Sequence, residues 1–219
     1  MDDILSSLYV LLGVGLLIAA VFLLSRQKAR QRAEELAAYC AQNGYRLTLQ
    51  NEPLMRSIQI ETDDWQLNST MRAVRNDGDT GSSSWQRETK WICTRENPLR
   101  KTFAMQLSQG STNLDQLPQW LRDAAVSALK HWLGDDMQAL DSVRTVSFDK
   151  KRTGILFEQE AHAADATLEQ LRVSLEQYTG NLPLYLECSP SRVRLFLPDV
   201  KADSAPVLER LISIGKTLQ

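Results

Sequence analysis

The chain changes its apolar period twice, and each change predicts a different kind of element. Residues 4–24 form a run without a single charge, holding fourteen large apolar side chains from Ile4 to Leu24. As a helix this run reaches about 31 Å, the thickness of a bilayer's hydrocarbon layer. On an insertion scale the fourteen side chains contribute roughly −4 to −8 kcal/mol. The pattern therefore predicts a transmembrane helix over 4–24. Met1-Asp2-Asp3 at the start and Ser25-Arg26-Gln27-Lys28 at the end do not fit a cleaved signal peptide, so the helix is expected to be retained. Ala29, Ala33, Leu36, Ala37 and Cys40 then recur at helical spacing, continuing a basic juxtamembrane helix over 25–44 until Gly44 stops it.

From residue 45 the period falls to two. Trp65, Leu67, Ser69, Met71 and Ala73 alternate with polar neighbours, as do Thr89, Trp91 and Cys93, which marks half-buried antiparallel strands. Polar, glycine-bearing residues 75–84 between them predict a long hairpin loop. Shorter strands are expected near 45–49, 57–62 and 102–107. Leu117, Leu121, Ala124, Ala125, Ala128 and Trp132 share a helical face closed by Gly134. The region 45–134 thus reads as β-rich and ending in a helix. The region 143–219 reads as ββαββα, two strand-strand-helix units without residue-level similarity. The expected class is α+β: an N-terminal single transmembrane helix, then a cytoplasmic domain of antiparallel sheet with packed helices.

Charge sets the expected orientation. Arg26, Lys28, Arg30 and Arg32 follow the apolar run as membrane-interface residues, and Asp2 and Asp3 precede it. The positive-inside rule then places the N-terminus outside and the domain in the cytoplasm, at the plasma (cell inner) membrane, with the bilayer as a partner. Cys40, Cys93 and Cys188 are odd in number and lack a paired spacing, which suits a reducing compartment. Four of the 25 basic but only two of the 27 acidic side chains precede residue 33. The remainder is mildly acidic, which argues against nucleic acid. Gly15 and Ala19 form a small-xxx-small pair that allows homo-oligomerisation through the helix.

Candidate chemistry is sparse. The two histidines, His131 and His162, have no nucleophile motif near them, and no Gly-x-Ser-x-Gly occurs. The cysteines and histidines match no zinc spacing. Asp77 and Asp79 lack the other ligands of a calcium loop. Glu158 and Glu160, with Gln159 between them, resemble an exposed strand edge more than a catalytic carboxylate pair. No catalytic, cofactor or metal residue is assigned. Among the five tryptophans, Trp65, Trp91 and Trp132 fit packing positions, whereas Trp85 on the long loop is a candidate partner contact. The sequence therefore predicts a non-enzymatic module that binds a protein partner or assists an assembly. The alternatives are a membrane-tethered hydrolase or transferase without a recognisable motif, and a lipid-binding domain.

Overall fold

A computed structural model describes residues 2–75, 83–98, 100–110, 118–133, 137–149, 152–176, 178, 183–199 and 204–219. The side chains of 2–19, 75, 83 and 129–133 lie outside that description. Among the described residues, one nine-stranded antiparallel sheet with four helices dominates the chain. In order these are α1 (Asp2–Gln42), β1 (Arg46–Glu52), β2 (Met55–Glu61), β3 (Trp65–Arg75), β4 (Ser83–Cys93) and β5 (Phe103–Gln109). They are followed by α2 (Gln119–Leu133), β6 (Ser142–Ser147), β7 (Arg152–Glu158), α3 (Asp165–Glu176), β8 (Leu184–Cys188), β9 (Val193–Pro198) and α4 (Ala205–Thr217).

The membrane reading is corrected here. Among the described residues no helix is long and apolar enough to cross a membrane. The apolar run is not a separate span. It is part of a continuous 41-residue helix that carries Arg26, Lys28, Arg30 and Arg32 and the acids Glu34 and Glu35. Among its described side chains, Leu36 and Cys40 are buried and join the core on the sheet. The single-pass anchor, the orientation argued from it and the inner-membrane location are therefore withdrawn. Gly15 and Ala19 lie among the side chains outside the description.

α1 stops where glycine permits it. Gly44 has φ +70°, and the Tyr45 N–H donates to the Cys40 carbonyl at 2.9 Å, the reversal that ends a helix in a left-handed residue. The chain then runs back beneath the helix as β1.

The sheet order is β1-β2-β3-β4-β9-β8-β5-β7-β6. β1 to β4 form a meander, and β6–β7 and β8–β9 are hairpins. β5 lies between those hairpins, pairing with β7 on one side and β8 on the other. Strand phase then assigns the faces. Leu67, Trp91, Leu195, Leu186, Met105 and Leu156 follow one another across the register on one face, and all are buried. α1, α3 and α4 cover that face. On the opposite face, the smaller cluster of Ala104, Met137, Leu140 and Phe157 lies near α2, which packs against β6.

Arg152 fixes the end of α3. Its guanidinium donates to the carbonyls of Leu175, Glu176 and Tyr178 at 2.6, 2.8 and 2.8 Å, and to the Asp149 carboxylate at 2.6 Å. A cation on the negative end of a helix, making charge-assisted bonds, is worth about 2 kcal/mol. Arg152→Ala should lose about that much in urea denaturation, and Arg152→Lys should recover only part, because an ammonium cannot span three carbonyls. Unchanged stability in Arg152→Ala would refute this role.

Candidate functional site

The reversal at Gly44 brings α1 over the outer end of the first hairpin. On the stripe of α1 that faces the sheet, Cys40 and Leu36 are buried, Ala33 is half-buried, and Ala29 and Ser25 are exposed. Helix and sheet therefore enclose a cleft that opens toward the N-terminal end of α1. Its volume is about 390 Å³. Leu36, Leu49 and Ile58 supply the apolar floor, and Lys28, Arg32 and Arg56 supply the charge. Among the described residues no aspartate or glutamate lines it.

Two of the four basic residues singled out in the sequence, Lys28 and Arg32, line this cleft; Arg26 and Arg30 do not. Arg56 was missed. Strand phase was the available signal: Ile58 and Ile60 point inward, so Arg56 shares their face and places a cation on an apolar surface. Beyond Arg56 the same face continues through Met71 and Ala73 to Trp85, paired by register with Ala73. Trp85 is 45% exposed. It does not line the cleft.

A second set of charges surrounds His162. Glu158 closes β7 in the inward phase of Gly154 and Leu156, and it is fully buried rather than on an exposed edge. Its carboxylate accepts from Arg144 Nε at 2.6 Å and from the backbone N–H groups of His162 and Ala164 at 3.0 and 3.1 Å. Arg144 also bonds the Asp165 carboxylate, and His162 Nδ1 meets the other oxygen of Asp165 at 2.9 Å. His162 has φ +69°, a left-handed conformation held by the Glu158 bond to its N–H. Glu160 is exposed, and its backbone carbonyl accepts from the Ala163 N–H at 3.0 Å in the same turn. The network ties the turn before α3 to β6 and β7.

Ser142 and His162 line the same hollow of about 300 Å³. The Ser142 hydroxyl makes no hydrogen bond among the described residues, so the nucleophile–base contact that acyl transfer needs is missing. The side chain of His131 and residues Asp77 and Asp79 lie outside the described residues. Cys40, Cys93 and Cys188 are free and buried, and burial pushes the Cys188 thiol up to about 12. Among the described residues no three His, Cys, Asp or Glu side chains gather as metal ligands.

Asp165 gives the network a pH signature. Partial burial pushes its carboxyl up, but the hydrogen bonds from His162 and Arg144, with their charges, outweigh this and hold it below the usual carboxylate range. A carboxyl lowered by folding contributes its full stability above the unfolded value, near pH 4, and loses it as pH falls through the lower folded value. The gap in melting temperature between the native chain and Asp165→Asn should therefore shrink from about pH 5 downward. A gap independent of pH would contradict the assignment.

Comparison of the chain with models of known families, with curated proteins and with solved structures finds no match.

Proposed function

We propose that this chain is a non-enzymatic binding module that docks an acidic, partly apolar partner in the cleft between α1 and the β1–β2 hairpin. One observation carries the reading: three cations, Lys28, Arg32 and Arg56, ring an apolar floor with no acid among the described lining residues. In a chain with a net charge of −2, that local excess runs against the overall balance. Complementary charge steers and orients a partner, while Leu36, Leu49 and Ile58 supply apolar contact. Trp85 extends the same face outward and offers an aromatic anchor to a partner longer than the cleft.

The network at His162 supports a catalytic reading less well. Glu158 and Arg144 are engaged in holding the turn, and the hydroxyl beside them is unactivated.

The test titrates the chain with peptides alternating threonine with valine and glutamate, against a control with lysine in place of glutamate. The acidic peptide should bind and the basic one should not. Lys28, Arg32 and Arg56 are exposed, so reversing all three to glutamate should leave folding intact. At several tenths of a kcal/mol for each attraction lost and each repulsion gained, the triple reversal should weaken binding about a hundredfold. Equal binding of acidic and basic peptides would overturn the proposal.

A further inference from the structure

The cleft lies beside the unpaired edge of the sheet, and the two features together specify how a partner would bind. β1 is the outermost strand, and among the described residues no strand pairs with its outer side. Its register with β2 is unbroken over seven pairs, from Arg46↔Glu61 to Glu52↔Met55, with no bulge. Between those charged ends the strand reads Leu47-Thr48-Leu49-Gln50-Asn51, without charge or proline. Nearly all of it is exposed. Sheet edges are ordinarily guarded by charge, proline, a bulge or a covering element. A helix packs beside each edge strand, α1 at β1 and α2 at β6, but β6 also carries a charge, Arg144, in its middle, and β1 carries none between its ends.

Leu49, Gln50 and Asn51 of this uncharged edge also line the cleft, together with Lys28, Ala29 and Arg32 on the helix. Resting on the cleft as the binding surface, we infer that the partner is an extended segment of another protein that pairs with β1 as a tenth strand. Backbone bonds to β1 give it its place, its inward apolar side chains meet Leu49 and Ile58, and its inward acids meet Lys28, Arg32 and Arg56. A second copy of this chain fits poorly, because pairing β1 with β1 would bring two cationic clefts together. A helical partner would leave the backbone groups of β1 unused.

The experiment uses the acidic threonine/valine/glutamate peptide and three derivatives: N-methylated along one edge, N-methylated along the other, and a helix-stabilised peptide of the same composition. Affinity is read by fluorescence anisotropy, and protection of the β1 amides by hydrogen exchange. Blocking the paired edge should weaken binding about tenfold or more, since each lost bond also leaves an acceptor unmet, whereas blocking the outer edge should change little. The amides between Thr48 and Asn51 should gain protection. If both methylated peptides bind as the parent does, or the helical peptide binds tighter, while the triple charge reversal still abolishes binding, strand addition is wrong and the cleft reading stands. If no acidic peptide binds better than the basic control, the cleft reading fails and this inference fails with it.

Discussion

Replacing Gly215 by valine should destabilise the fold by about 3 kcal/mol, at the upper end of core overpacking. Glycine inside a helix costs about 1 kcal/mol relative to alanine, so its presence in α4 needs a local reason. Trp91 is that reason. A Cβ built at Gly215 would lie 2.5 Å from the Trp91 ring, a separation side chains do not tolerate. The indole has nowhere to retreat, being fully buried and packed at a tilt against Trp65, with ring centres 6.1 Å apart. Trp65 in turn meets Tyr45 at 5.0 Å, and Tyr45 meets Tyr39 of α1 at 6.1 Å. A continuous row of aromatic rings thus links the Gly215 contact to α1. Gly215→Ala should already cost about 1 kcal/mol or more. Wild-type stability of Gly215→Ala, measured by urea denaturation, would show that α4 does not press on Trp91.

Arg144→Ala carries the second large effect, a loss of about 3 kcal/mol. The reason is what it leaves behind: Glu158 stays buried with no cation, and an unpaired buried carboxylate costs more than the ion pair contributes. Two backbone N–H groups still bond Glu158, so the loss stays at the lower end of the range for broken buried pairs. Adding Glu158→Gln removes the stranded charge while keeping an acceptor, and should recover part of the stability. A double variant less stable than Arg144→Ala by the full cost of a second independent loss would mean the two residues do not act as a pair.

Much of the local structure was written in the residue pattern, because local structure depends on neighbours in the chain. The alternation through Trp65–Ala73 and Thr89–Cys93 lies in β3 and β4, and Gly44 ends α1 as its place after a helical stripe implies. The sheet order was not legible. β5 pairs with β7 and β8, residues far away along the chain, and periodicity carries no information about such pairings. The composition of the apolar run alone suggests a span, yet the helix continues past it through four basic residues and buries Leu36 and Cys40 on the sheet. The i, i+2 spacing of Glu158 and Glu160 suggests an exposed pair, whereas the phase of Glu158 with Gly154 and Leu156 points inward. The cleft needs Arg56 and Leu49 beside Lys28 and Arg32, a meeting made by the reversal at Gly44 and visible only after folding.

A charge exchange across the cleft tests the central claim most directly. Arg56→Glu is combined with a peptide whose facing glutamate is replaced by lysine, and the four affinities of the cycle are measured. If the cationic cleft is the docking site, each single change weakens binding and the pair together restores it, giving a favourable coupling. Independent, additive losses, or no loss from Arg56→Glu alone, would contradict the claim.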